Sequence, residues 1–208
     1  MEPANPIPAA LELLDYFGIA VFAASGALLA AEKRQTLVTF IFFAVVTGVG
    51  GGTLRDLLIG APVFWVHTNA TLLICVGAAL LVWLSSRRRF TGHALLWFDA
   101  AGLAAYATYG AAKALGYGVA PVPAFGMGVL TACAGGIFRD VLAGEPSILM
   151  RPELYVTAAA LTAGLFVGLT LLGVSGPIAV LVAAASGFAL RGLAINRGWS
   201  LPAYRDKA

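Results

Sequence analysis

Long apolar runs, separated by short polar breaks, fill most of the chain and show no regular alternation of apolar and polar residues. A helix needs about 20 mostly apolar residues to cross the roughly 30 Å hydrocarbon core of a bilayer. Closed β-barrels instead need alternating strands of about 10 residues, so we expect an all-α integral membrane protein. The pattern predicts seven membrane-spanning helices, over residues 13–31, 37–59, 64–84, 94–113, 120–142, 153–173 and 175–193.

The composition agrees with a membrane protein and excludes other classes. Of the 208 residues, 60% are hydrophobic and 11% charged, whereas soluble domains carry roughly a quarter charged residues. This balance excludes a disordered chain, a disulfide-rich secreted scaffold and a nucleic-acid-binding module. Cys75 and Cys133 lie inside apolar runs and are expected to be small core residues, and no metal site is expected. The first residues lack a basic segment, so we expect the first run to stay as a membrane helix.

Basic residues fall mainly in short loops, and this distribution predicts the orientation of the chain, because cytoplasmic loops carry an excess of Lys and Arg. With seven spans, the basic segments 32–34, 87–89 and 139–152 and the tail 196–208 share one side. We therefore expect the N-terminus outside and the C-terminus in the cytoplasm. The seventh span is the weakest, because Arg191 has to reach an interface.

The chain contains an internal duplication. A shift of 84 residues aligns segment 51–62 with segment 135–146, and 18 of the 56 positions from 11 to 66 are identical to their counterparts. The matches include Arg, Asp, Pro and paired Gly, and are not confined to the abundant Ala. We divide the single transmembrane domain, 1–208, into repeat one, repeat two, a seventh helix and a basic tail, over residues 11–84, 95–173, 175–195 and 196–208.

Each repeat contains three predicted spans, an odd number, so repeat two is expected to enter the membrane from the opposite side. Inverted repeats recur in proteins that move solutes, because a twofold axis in the membrane plane creates two similar half-pathways. The alternative is that a duplicated helix bundle simply packs well.

Spans two and five each contain a run of small residues, Gly48–Gly52 and Ala132–Gly136. Each glycine costs a helix roughly 1 kcal/mol relative to alanine, so both helices are expected to kink or unwind. Freed backbone groups must be buried in protein or line a watery cavity, which predicts a polar pathway; alternatively, glycine only permits close helix contact. The candidate pore-lining residues are Thr47, Gly50, Gly51, Gly52, Arg55, Asp56, Thr131, Gly135, Gly136, Arg139 and Asp140.

Charges inside the spans can be placed by their depth. At about 1.5 Å per residue, Asp15 and Arg55 both lie roughly 5–8 Å below one boundary, and Asp99 and Arg139 repeat this arrangement at the other boundary. Charges within a membrane are generally paired. We therefore expect two supporting ion pairs, Asp15–Arg55 and Asp99–Arg139.

That pairing would leave Asp56 and Asp140 as surplus carboxylates, and a net charge of −1 at each mouth of the pathway. A ring of negative charge favours cations. Two alternatives stay open: the six charges form closed structural clusters, or an unpaired arginine faces the pathway and attracts anions.

The chain has seven predicted spans, arranged as two repeats of three and a seventh helix, and Gly-Gly-x-x-Arg-Asp occurs in the second and fifth spans. In these features it resembles the prokaryotic trimeric intracellular cation (TRIC) channels over residues 12–195. The resemblance implies a homotrimer in which each protomer has its own pore for K⁺ and Na⁺, lined by kinked second and fifth helices. Related bacterial sequences are also catalogued as glycine transporters. Ala134 stands where repeat one has Gly50, so the second kink is expected to be milder.

We therefore expect a passive monovalent-cation channel, with two alternatives: a secondary transporter of a small zwitterion such as glycine, or a non-conducting scaffold. The sequence contains no nucleophile–base pair, phosphate loop or metal-ligand cluster, so no enzymatic activity and no cofactor are expected. The expected partners are permeant K⁺ or Na⁺, membrane lipid and further copies of this chain, without nucleic acid.

Overall fold

A computed structural model describes residues 9–85 and 93–202, with side chains from residue 11 onwards. The basic run 87–89 and residues 203–208 of the predicted tail lie outside the described residues. Two 3-10 helices, Phe64–Val66 and Ile148–Met150, precede the third and sixth α-helices. The described residues confirm the all-α class. Their α-helices are α1 (Ala9–Glu32), α2 (Leu37–Leu58), α3 (Asn69–Leu84), α4 (Ala94–Gly116), α5 (Pro121–Leu142), α6 (Val156–Leu171) and α7 (Gly176–Arg197).

Local capping explains where several helices begin and end. α3 begins at Asn69 and not at residue 64, because the Thr68 side chain accepts a hydrogen bond from the Ala70 N–H at 3.3 Å and fixes a new helix start. α5 begins at Pro121, whose backbone conformation suits the first turn of a helix. α7 ends where Gly198 adopts a left-handed conformation with φ of +64°.

Four of the described helices are long and apolar enough to cross a membrane by length and composition: α1, α2, α5 and α7. α3 and α6 are apolar but have 16 residues each, which corresponds to about 24 Å of helix. α4 has 23 residues and carries Asp99 and Lys113. Arg191 in α7 is buried and pairs with Glu153, which precedes α6. Its position at a membrane interface stays a prediction.

The duplication is visible in the helix boundaries. α2 and α5 are 84 residues apart, and so are the two 3-10 helices. α3 and α6 are 87 residues apart. The difference arises in the linker before α6, residues 151–155, which has five residues where the linker before α3, residues 67–68, has two.

α1, α2, α4 and α5 form the centre of the bundle, with α3 against α1 and α2, and with α7 against α4 and α6. Two glycines bring α1 and α4 together: Gly18 lies under the ring of Tyr106, and Gly102 under the ring of Phe22. An added Cβ would lie 2.6 Å and 2.9 Å from these rings, so both positions are suited only to glycine. The two contacts join equivalent positions of the two repeats.

α2 and α5 cross at the centre of the molecule through their glycines. Gly51 lies against the carbonyl oxygen of Thr131, and Gly135 against that of Thr47, too closely for a Cβ at either position. Residue 47 thus faces 135 while 51 faces 131, so the two helices run antiparallel, as inverted repeats require.

The glycine runs do not unwind these helices. α2 and α5 are continuous α-helix through residues 48–52 and 132–136, so the expected unwinding is wrong. Close contact between two backbones stabilises the pair and offsets the poor helix propensity of glycine. A kink that keeps the helical hydrogen bonds stays a prediction.

Candidate functional site

Two groups of buried charge flank the crossing of α2 and α5. Arg55 and Arg139 each lie four residues beyond the glycine that makes the backbone contact, about one helical turn along the axis. Because the helices are antiparallel, the two arginines lie on opposite sides of the crossing. The first cluster contains Asp15, Arg55, Asp56, Tyr109 and Lys113, and the second cluster contains Ser25, Asp99, Arg139 and Asp140.

In the first cluster, two cations bind Asp56. Arg55 Nε and Nη2 each lie 2.8 Å from Asp56 Oδ1, and Lys113 Nζ lies 2.9 Å from Oδ1 and 3.0 Å from Oδ2. The Phe64 N–H donates to Oδ2 at 3.1 Å. The prediction that Asp56 is a surplus carboxylate is therefore wrong, because Lys113 reaches it from α4.

Arg55 does not form the predicted direct ion pair with Asp15. Its carboxylate partner is Asp56, and its guanidinium lies over the ring of Tyr109, 5.0 Å from the ring centroid. Asp15 is 7% exposed, and its Oδ1 has no hydrogen-bond partner among the described residues.

The second cluster contains the predicted Asp99–Arg139 ion pair. Arg139 Nη1 lies 2.7 Å from Asp99 Oδ1 and 3.1 Å from Ser25 Oγ. Its Nε and Nη2 lie 2.9 Å and 2.8 Å from Asp140 Oδ1, and Asp140 Oδ2 accepts the Ile148 N–H at 3.0 Å. One arginine therefore bridges two carboxylates, and Asp140 is paired as well.

A single residue makes the charges of the two clusters different. At an offset of 84 residues, Lys113 is equivalent to Leu29. The first cluster has two acidic and two basic side chains and sums to zero, whereas the second sums to −1. The expected charge of −1 is therefore wrong for the first cluster. In the sequence, the signal for Lys113 is its place three residues before the end of an apolar helix, like that of Arg55.

Each cluster adjoins a cavity, and the duplication relates the two cavities. The first has a volume of about 410 Å³ and the second about 220 Å³. Phe64 and Lys113 line the first cavity, and their equivalents Ile148 and Leu29 line the second. The duplication therefore places a cavity beside the charge cluster of each repeat, while a pathway through them stays a prediction.

The predicted pore residues occupy four places. Arg139 and Asp140 line the second cavity, while Arg55 and Asp56 are fully buried. Asp15, predicted only to support an ion pair, lines the first cavity. The close crossing of α2 and α5 contains Thr47, Gly51, Thr131 and Gly135. The remaining candidates, Gly50, Gly52 and Gly136, lie against the side chains of Phe138, Phe64 and Tyr155.

Lys33 and Glu145 form an ion pair at the rim of the second cavity. The hydrogen bond from the Lys33 ammonium, together with its charge, lowers the pKa of Glu145 below its ordinary value. Glu145 therefore stays ionised to lower pH than a free carboxyl does. These residues are 112 positions apart, and no sequence pattern connects them.

Comparison with known sequences identifies bacterial membrane proteins as relatives. A family model described as glycine transporter matches this chain twice, over residues 12–87 and 96–171. A UPF0126 membrane protein of Vibrio cholerae is 41% identical over 198 residues, which cover 93% of this chain and 82% of that protein. The UPF0126 inner membrane protein YadS of Escherichia coli K12 is 42% identical over 148 residues, covering 70% of this chain and 72% of that one.

Among solved structures, the TRIC trimeric intracellular cation channel orthologue from Rhodobacter sphaeroides is similar over almost the whole chain. The TM-score is 0.85 at 41% identity, with 92% of this chain and 100% of that chain covered. The two matches of the family model are themselves 84 residues apart, as the duplication requires. Together with the long apolar helices, these similarities make the chain a multi-pass membrane protein.

Proposed function

Since this chain belongs to the glycine-transporter family, which contains the TRIC cation channels, we propose that it is a passive channel for K⁺ and Na⁺ in the bacterial cytoplasmic membrane. Each protomer of a lipid-embedded homotrimer contains its own pore. The N-terminus lies outside, so the first cavity opens outward and the second opens to the cytoplasm. The solved neighbours are described as cation channels, and the chain is not an enzyme.

The observation that carries the proposal is the pair of cavities on opposite sides of one helix crossing, within one chain. Each cavity adjoins a buried arginine–aspartate cluster, and a packed crossing of small residues separates them. Two half-pathways related by an internal twofold are typical of proteins that move solutes across a membrane. This arrangement supports one pore in each protomer.

The preference for cations arises at the second cavity. Its cluster carries a net charge of −1, and Arg139 contributes no free positive charge because two carboxylates bind it. Negative charge at a pore entrance attracts cations and repels anions. The first cluster is neutral because Lys113 balances Asp56, so it passes ions without selecting strongly between signs.

Conduction requires α2 and α5 to separate where they cross. The contacts of Gly51 and Gly135 with the opposite backbone close the passage between the cavities. A small movement of α2 and α5 away from each other exposes the Thr47 and Thr131 hydroxyls and the backbone of the glycine runs to the pathway. Residues 50–52 and 135–136 therefore form the gate. Arg139 and Asp140 line its entrance at the second cavity, and Arg55 and Asp56 lie buried beside its entrance at the first.

One observation favours a second function, secondary transport of a small zwitterion such as glycine. The first cavity offers both an ammonium group on Lys113 and an unpartnered carboxylate oxygen on Asp15. Opposite charges at two points of one cavity suit a ligand that carries both an amine and a carboxylate.

Purified protein in planar bilayers under a KCl gradient separates these functions. We expect discrete unitary currents that reverse near the K⁺ equilibrium potential, with protein-free bilayers as the control. Cross-linking in detergent is expected to give three chains in each particle. Absence of unitary currents, combined with saturable glycine uptake into liposomes, would contradict the channel and establish the carrier.

A further inference from the structure

The chain beyond α7 folds back onto the linker before α6. Gly198 ends α7 in a left-handed conformation, and the residues after it reverse direction. The Leu201 N–H donates to the Pro152 carbonyl at 2.7 Å, and Ser200 faces Glu153 in an antiparallel bridge. We call residues 198–202 the C-terminal strap.

The strap docks on a segment that repeat one lacks. The linker 151–155 is three residues longer than its counterpart 67–68, and the longer linker supplies the backbone groups that the strap binds. A partly buried ion pair joins the same linker to α7, because Arg191 Nη2 lies 2.5 Å from Glu153 Oε2. Two parts of the chain without a counterpart in the duplication, the longer linker and the end of α7 with the strap, therefore bind each other.

Tyr155, the last residue of this linker, connects it to the second cluster. Tyr155 is 1% exposed, and the Arg191 guanidinium lies 5.4 Å from its ring centroid. Its hydroxyl lies beside Gly136: a Cβ added to this glycine would be 2.9 Å from the hydroxyl and 3.3 Å from Asp99 Oδ1. Tyr155 makes no capping bond at the start of α6, unlike Thr68 at the start of α3. Its side chain is instead directed to α5.

We propose that the C-terminal strap is a regulatory device that holds Tyr155 against α5 at Gly136 and stabilises the closed crossing of α2 and α5. The inference rests on the proposed channel function, because it treats the crossing as the gate. Gly136 follows Gly135, whose backbone touches α2, so releasing Tyr155 allows α5 to move where the passage opens. Repeat one has a shorter linker and no equivalent of α7, so this control acts at the second cavity alone.

Leu201→Pro tests the strap with a matched control, Leu201→Ala. Proline has no N–H, so the bond to the Pro152 carbonyl is lost, whereas alanine keeps it. Leu201 is about half exposed, and both variants lose a similar amount of side-chain contact. Hydrogen exchange should increase in residues 152–156 and 135–140 of Leu201→Pro but not of Leu201→Ala.

In planar bilayers, Leu201→Pro should raise the open-to-closed ratio about fivefold over Leu201→Ala, the size expected for one lost net hydrogen bond. Tyr155→Leu, which removes the ring that lies under Arg191 and beside Gly136, should raise it similarly, and combining the two substitutions should add little. The unitary current should stay unchanged in all of them, because the strap controls the gate and does not line the pore.

The outcomes separate the strap from the channel function. In one outcome, hydrogen exchange increases at residues 152–156, but exchange at residues 135–140 and the open-to-closed ratio are the same as in the control. The strap is then structural only, and the proposal is wrong. If Leu201→Pro does not assemble, Glu153→Gln, which removes the ion pair to Arg191, provides the same two measurements. If the unaltered protein conducts no ions, the channel function fails, and exchange at 135–140 alone decides whether the strap acts on α5.

Discussion

Arg55 and Arg139 occupy equivalent positions in the two repeats. Only Arg139 contacts the aspartate of the α-helix before its own. Its distance to Asp99 is 2.7 Å, whereas Asp15 forms no such contact with Arg55. A double-mutant cycle on Asp99→Asn and Arg139→Gln should give a coupling of about 0.5–3 kcal/mol, the range found for contacting residues. The equivalent cycle on Asp15→Asn and Arg55→Gln is the matched control and should give a much smaller coupling. Thermal melts in detergent measure both, and equal couplings would contradict the difference between the clusters.

Lys113→Leu gives the first cluster the residue that the second cluster has at this position. The variant should lose about 1–3 kcal/mol of stability, because buried Asp56 loses one of its partners. Adding Asp56→Asn should recover part of that loss, since Arg55 and Asp15 then balance in charge. Leu29→Met, an apolar exchange at the equivalent position, is the control and should cost less than about 1.5 kcal/mol. If the double variant is no more stable than Lys113→Leu, lost packing and not charge explains the effect.

The sequence predicts only in part which charged side chains pair with each other. Depth along a span correctly brings Asp99 to Arg139, because Asp99 lies five residues from the start of α4 and Arg139 three residues from the end of α5. Depth does not specify how each helix is rotated about its axis. Rotation decides that Lys113 and not Asp15 joins Arg55 and Asp56, so this partner could not be predicted.

Among the elements, the glycine runs show how packing can dominate intrinsic helix propensity. Gly51→Ala should destabilise the protein by about 1–3 kcal/mol or more, because its Cβ would meet the Thr131 carbonyl oxygen. Gly126→Ala lies in α5 with open space around the position, and should stabilise by up to about 1 kcal/mol. Thermal melts of the two variants make the comparison, and a stable, fully assembled Gly51→Ala would mean that the crossing is looser than described.

The helices themselves are largely predictable, because their apolar runs are long and their breaks are short. Six of the seven predicted spans begin within four residues of the observed helices, and the third begins later because residues 64–66 form a separate 3-10 helix. The continuous form of α2 and α5 could not be foreseen from propensity. It depends on a partner backbone that lies about 80 residues away in the chain.

For the whole molecule, unequal cluster charges predict rectification. At about 10 mM KCl, where the screening length is roughly 30 Å, the negative second cluster concentrates cations at its own mouth only. Cation current that flows from the second cavity through the crossing to the first should then exceed the current in the opposite direction. The difference should disappear at about 1 M KCl, where charges are screened. Lys113→Leu should reduce rectification by making the first cluster negative as well. Rectification that is equal at both salt concentrations would show that fixed charge is not its cause.

The crossing of α2 and α5 has a consequence for the origin of the fold. Its two backbone contacts are equivalent to each other: exchanging the two repeats turns the contact of Gly51 with Thr131 into that of Gly135 with Thr47. A surface that complements itself does not require both halves to belong to one polypeptide. A three-helix chain bearing this surface could bind a second copy inserted the other way up, and every glycine contact at the crossing would already be satisfied. Joining two such chains into one needs a linker, and each half can then carry its own charges, as Lys113 and Leu29 do.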